Sequence, residues 1–160
     1  MSEGSDAAVP PFRHLLRVRY GECDAQKVVF NARYGDYVSV ALNEFMRAIG
    51  YGPEHPSDPE IQLVRQTTEW RASARFDEVI DISVYAVHLG NTSFTMRYEF
   101  RRNGEPQPFA TSETVYVHVH PQQFTKQPLP EHLRTALARG APGVISDHAG
   151  ALRGFTGAGA

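Results

Sequence analysis

Apolar and polar residues change their rhythm several times along the chain, and each change marks an element. Residues 12–20, FRHLLRVRY, place Leu16, Val18 and Tyr20 on one face at period two, which predicts a short strand. From 32 to 49 the period lengthens: Tyr34, Val38, Leu42, Phe45 and Ile49 recur three or four apart, the stripe of an amphipathic helix. Gly50 and then Pro53 stop it. A proline-rich loop, YGPEHPSDPE, follows. Residues 61–73 read as extended, and 79–89 (VIDISVYAVHL) alternate and are rich in β-branched residues. After a Gly90-Asn91 turn, Phe94, Met96, Tyr98 and Phe100 share one face of a strand over 93–102. Asn103-Gly104 signals a hairpin. Residues 109–120 put Val115, Val117 and Val119 on one face, and Pro121 ends that strand because it has no N–H for the ladder. A short helix is expected over 130–139.

The order is strand, long helix, then four long antiparallel strands. One helix leaves much of a five-stranded sheet uncovered unless the sheet wraps around it. The stretch YVSVALNEFM suits such a helix, with one charge, Glu44, in ten residues. The expectation is an α+β domain over 12–139, in which a curved five-stranded antiparallel sheet encloses the long helix and pairs with a second subunit. Residues 1–11 are expected to be flexible, as is the Gly- and Ala-rich tail over 140–160.

Composition narrows the possibilities. A chain of 160 residues suits one domain, and at that size folding buries roughly 68–70% of the unfolded surface. Net charge is −2, from 16 basic and 18 acidic residues, so there is no basic footprint for nucleic acid. The single cysteine, Cys23, excludes an internal disulfide. The N-terminal residues lack a signal-peptide core, and no stretch approaches the roughly 20 apolar residues of a membrane span, so a cytoplasmic protein is expected. There is no P-loop, dinucleotide fingerprint or nucleophile elbow. The letters SDH at 146–148 fall in the tail expected to be loose. His118 and His120 share a strand face, too few ligands for zinc on their own.

The chemistry concentrates in GECDAQKVVFNARYGDY, residues 21–37. Asp24 precedes the helix by a few residues, with Val28, Val29 and Phe30 between. Helix-starting amides lack internal partners and carry partial positive charge. Asn31 is the expected N-cap, and Val29 and Phe30 are expected to be buried against it. A carboxylate at Asp24 and backbone donors at Asn31, Ala32 or Arg33 would together form a minimal acyl-transfer site: a nucleophile or base, and a cradle for a developing oxyanion. The plain alternative is that Asp24 makes an Asx-type turn.

The stretch RYGECDAQKVVFNARYGDYV resembles the signature of the 4-hydroxybenzoyl-CoA thioesterase family of hotdog-fold enzymes. The likeness continues through ASARFDEVIDI (72–82), LGNTSF (89–94) and VYVHVHPQQFTKQPLPEHL (115–133), covering about residues 14–137. It implies a hotdog domain, dimeric or tetrameric, that hydrolyses an acyl-CoA or acyl-carrier-protein thioester without a metal or redox cofactor. Asp24 matches the catalytic aspartate. Asn31 matches the position whose backbone N–H faces the thioester carbonyl, and Ser73 the place of a hydroxyl near the carboxylate. The resemblance marks Val29, Phe30, Ala32, Tyr34, Asn91, Thr92 and Ser93 as substrate-binding. Two departures stand out: Lys27 replaces a glycine common in the family, and the turn Leu89-Gly90-Asn91-Thr92 lacks the cations that some CoA-binding relatives carry there. Glu44 is a fallback acid facing a subunit interface. A hotdog dehydratase would want a histidine at the helix start, and none lies between 15 and 54. A non-catalytic acyl-thioester-binding module on the same scaffold is the remaining rival.

Overall fold

The computed structural model describes residues 9–152. The expected flexibility of 1–8 and 153–160 falls outside the described residues. Strand β1 (Phe12–Arg17) leads through a 3-10 turn (Tyr20–Glu22) and a tight loop to helix α1 (Arg33–Ala48). Strands β2 (Ile61–Trp70), β3 (Val79–Leu89), β4 (Ser93–Arg102) and β5 (Ala110–His118) follow, then helix α2 (Glu131–Arg139) and a short β6 (Ile145–Asp147). The strand order is β2-β5-β4-β3-β1-β6.

Helix α1 buries Tyr34, Val38, Leu42 and Phe45 of the predicted stripe, with Tyr37 and Ala41 beside them; Ile49, the last of the stripe, is buried just past the helix end. The inner sheet face meets it in register. Phe12, His14 and Leu16 pair with Val84, Ile82 and Ile80, and these rows continue into Tyr98, Phe100, Ser112 and Ala110. Along β4, Phe94, Met96, Tyr98 and Phe100 are fully buried. A residue every second position on each strand therefore delivers one continuous apolar face.

Four expectations change. The sheet has six strands, not five, and is mixed: β6 lies parallel to β1, with Arg13 opposite Ile145 and Leu15 opposite Asp147. The stretch beyond Gly140, read from its composition as loose, thus adds an edge strand. The first strand ends at Arg17, before Tyr20, which begins the 3-10 turn and is 82% exposed. Phe30 is exposed rather than buried, although Val29 is in the core. Finally, Asn31 does not cap α1. The cap position is Ala32, already in helical geometry and with no side-chain bond. The chain enters the helix through a turn in which Arg33 N–H donates to Phe30 O and Tyr34 N–H to Asn31 O. No described helix is long and apolar enough to cross a membrane.

Candidate active site

Residues 22–30 fold into a small hairpin. Asp24 N–H donates to Val28 O (2.9 Å), Lys27 N–H to Asp24 O (2.9 Å) and Phe30 N–H to Glu22 O (2.9 Å). Val28 bridges to Arg75, and Val29 N–H donates to Ala74 O at 2.8 Å, fastening the hairpin to the chain that leaves β2. Tyr34 secures the same segment from below. Its buried hydroxyl accepts the Ala74 N–H (3.3 Å), and its ring packs edge-on against Tyr37, Trp70 and Phe100. The tight turn puts Lys27 at φ +63°, a conformation that favours glycine. The Lys27 departure therefore keeps a glycine-like backbone and adds an exposed cation to it.

Asp24 is half-buried. Its Oδ1 accepts the Gln26 N–H at 2.8 Å, so the Asx turn is present. The other carboxylate oxygen, Oδ2, has no partner among the described residues. The turn holds the carboxylate in place and leaves one oxygen available. Neighbouring candidates are occupied. The buried Glu22 carboxylate accepts the Arg19 amide (2.7 Å) and guanidinium (3.2 Å). The Cys23 thiol is pushed up by burial and then by the Glu22 and Asp24 carboxylates, so it stays protonated and is a poor nucleophile.

At the other arm of the hairpin the amides of Phe30, Arg33, Tyr34 and Gly35 all have backbone acceptors. Those of Asn31 and Ala32 have none among the described residues and sit on exposed residues at the positive end of α1. Asn31 lies three residues beyond Val28, the backbone partner of Asp24, where the arm turns into α1. Exposed Phe30 flanks the two amides, and Val29 forms the apolar floor. Ser73 is exposed one residue before Ala74, with its carbonyl held by Arg102 (2.8 Å).

The remaining candidates lie elsewhere. Asn91, Thr92 and Ser93 sit at the far end of β3, whose 11 residues span about 35 Å, whereas the hairpin docks near its start. Their carbonyls tie other segments together: Leu129 N–H donates to Asn91 O, His118 N–H to Thr92 O and Gly90 N–H to Ser93 O. One chain does not unite this turn with Asp24. Glu44 is 12 residues along α1 from Ala32, about 18 Å, and binds Arg47 and Ser146. Burial alone would raise its carboxyl, but those hydrogen bonds outweigh it and hold the pKa low. His118 bonds Pro128 O, and the His120 ring accepts the Gln122 and Gln123 amides. Among the described residues no group of three or more His, Cys, Asp or Glu side chains is arranged to hold a metal.

Sequence reasoning singled out Lys27 but missed two arginines near it. Lys27, Arg71 and Arg75 are exposed and have no ion-pair partner among the described residues. The signal was present in WRASARF, where two arginines bracket Ser73.

The family model described as the thioesterase-like superfamily matches residues 18–137, and the chain belongs to that family. Its fold is the hotdog fold, and membership places it among enzymes that hydrolyse thioesters. The chain is similar to the acyl-CoA thioester hydrolase YbgC of Escherichia coli, with 28% identity over 126 residues, 76% of this chain and 92% of that protein. It is also similar to the 1,4-dihydroxy-2-naphthoyl-CoA hydrolase of Synechococcus elongatus, at 24% identity over 73% of this chain and 88% of that one. The solved structure of Slr0204, a 1,4-dihydroxy-2-naphthoyl-CoA thioesterase from Synechocystis, shares the fold with a TM-score of 0.72 at 18% identity, covering 79% of this chain and 95% of that one.

Proposed function

We propose that the protein hydrolyses an acyl-CoA to a free carboxylic acid and CoA, with Asp24 as the reacting carboxylate. The observation that carries this reading is that, among the described residues, Asp24 Oδ2 and the amides of Asn31 and Ala32, just beyond the same hairpin, have no partner. The amides donate to the thioester carbonyl oxygen and stabilise its negative charge as the carbonyl carbon becomes tetrahedral. In one route Asp24 Oδ2 attacks that carbon, the C–S bond breaks, and the thiolate leaves and takes a proton. Water then cleaves the resulting mixed anhydride. In the other, Asp24 accepts a proton from a water whose oxygen attacks the carbon directly. Neither route uses a cofactor.

Lys27, Arg71 and Arg75 supply charge beside the hairpin for the phosphates of CoA, which answers the lack of cations in the turn at 89–92. The active unit is an oligomer of this chain: β2 has a free edge and is exposed along nearly its whole length, whereas β6 covers the opposite edge of the sheet.

The test is thiol release from a panel of aliphatic and aromatic acyl-CoAs, comparing wild type with Asp24→Asn and Asp24→Ala. Loss of about 100-fold or more in kcat by folded variants supports the assignment. Activity that survives both substitutions removes Asp24 from the mechanism. Saturable acyl-CoA binding without turnover would make the chain a binding module.

A further inference from the structure

A second feature lies beside the hairpin, where two tight turns each hold an aromatic ring in solvent. Tyr20 opens the 3-10 turn after β1 and is 82% exposed; Phe76, between β2 and β3, is 54% exposed. The rings meet edge-to-face, with centroids 5.9 Å apart and planes at 87°. The backbone beneath them is fastened at the end of β1. Val18 N–H donates to Glu78 O (2.9 Å) and Asp77 N–H to Val18 O (3.1 Å). Glu78 N–H closes the second turn on Arg75 O (3.2 Å), and Cys23 N–H closes the first on Tyr20 O (3.2 Å). Asp77 holds φ +67°, a left-handed conformation uncommon for a residue with a side chain. The turns are therefore bonded firmly while the rings they carry forgo burial. Two touching rings left in water gain free energy when a flat apolar group covers them.

The charges around the pair select that group. Val28 bridges antiparallel to Arg75, so the next positions along the same register are Lys27 and Phe76. Arg75 and Lys27 are exposed and have no ion-pair partner among the described residues. The acids of the turn are taken: Asp77 by Arg17 at 3.5 Å and Glu78 by Arg102 at 3.0 Å. The rings thus sit beside net positive charge. A nucleobase on a phosphorylated ribose fits both features, because the base stacks on an aromatic face and the phosphates meet the cations. Position agrees as well. Asp24 pairs with Val28 and Val28 with Arg75, so Arg75 lies two chain spacings, roughly 10 Å, from the candidate carboxylate. CoA joins its thiol to its nucleotide through a flexible pantetheine arm, so one molecule can reach both.

We propose that Tyr20 and Phe76 form the platform on which the adenine of CoA stacks, beside the cations Lys27 and Arg75 that meet its phosphates. This rests on the acyl-CoA reading and adds the place where the nucleotide end of the substrate is held.

The test separates binding from turnover. Adenosine 3′,5′-bisphosphate, the nucleotide end of CoA, is titrated into wild type, Tyr20→Ala and Phe76→Ala, beside ribose 1,5-bisphosphate, which carries the phosphates without the base. The expected result is saturable nucleotide binding, with the sugar bisphosphate at least ~5-fold weaker. Each alanine variant should weaken the nucleotide at least ~5-fold, and Phe76→Tyr, which keeps a stacking face, should not. In hydrolysis assays each alanine variant should raise KM for an acyl-CoA by a similar factor with kcat little changed. The same acyl group on pantetheine, which lacks the nucleotide, should show the wild-type KM. Unchanged nucleotide binding in the alanine variants, or equal losses on acyl-CoA and acyl-pantetheine, would overturn the proposal. So would a sedimentation change in either variant, which would make the rings a contact between subunits. If no acyl-CoA is hydrolysed, the functional reading fails while the titration still decides the platform.

Discussion

At the scale of single residues, backbone geometry and burial set the behaviour. Lys27 is held at φ +63° by the two hydrogen bonds that close the Asp24 turn. Lys27→Gly should raise unfolding free energy by about 0.5–1 kcal/mol in urea titrations, and Lys27→Val should lower it by about 1–2 kcal/mol, because a β-branched residue fits that region worst. If the cation serves CoA, the glycine variant will also show a higher KM for acyl-CoA with kcat little changed. His14 makes a separate prediction about pH. Its folded pKa, about 4, is below the unfolded value near 6.5. Between those values the unfolded chain binds a proton that the folded chain refuses, so stability falls as pH drops from 6.5 towards 4 and this contribution levels off below. The full effect is about 3 kcal/mol. Comparing equilibrium unfolding of wild type and His14→Leu across that range should show a flatter profile in the variant.

At the scale of elements, the ends of α1 and the edge of the sheet are informative. An N-cap side chain is worth about 1 kcal/mol, but Asn31 caps nothing. Asn31→Ala should therefore change stability by less than about 0.5 kcal/mol and, since the backbone N–H survives, leave kcat within about threefold. A loss near 1 kcal/mol would mean that the side chain does cap in solution. Strand β6 shields β1 through Arg13 N–H to Val144 O (3.0 Å) and His148 N–H to Leu15 O (2.9 Å), and it brings Ser146 to His14 and Glu44. Truncation after Gly143 should cost about 2–3 kcal/mol and speed hydrogen exchange along β1, with little change along β4.

For the whole molecule, the question is what completes the site. The hairpin bearing Asp24 and the turn bearing Asn91, Thr92 and Ser93 are separated by the length of β3 in one chain. A substrate touching both needs a second copy. The long, exposed β2 edge, with Leu63 and Val64 in the open, is where that copy would pair. Sedimentation should show an oligomer that Leu63→Lys together with Val64→Lys converts to monomer, and activity should fall with it. A monomeric wild type that turns over acyl-CoA would leave the turn residues without a part in the reaction.

What the sequence determined by itself was whatever depends on local periodicity or a contiguous motif. The three-to-four spacing from Tyr34 to Phe45 defined α1, and the alternation from Phe94 to Phe100 defined a core strand. The run from Glu22 to Asn31 marked the candidate reactive loop because its carboxylate and helix-start amides are close along the chain. Tertiary structure decided what depends on partners distant in sequence. β6 has little apolar pattern of its own and forms because the edge of β1 offers it hydrogen bonds across 132 positions, the separation of His14 and Ser146. The same distance hid a buried contact. Glu44, Ser146 and His14 are ordinary singly, and only the packing of a helix, a strand and the returning chain brings them into hydrogen-bond reach.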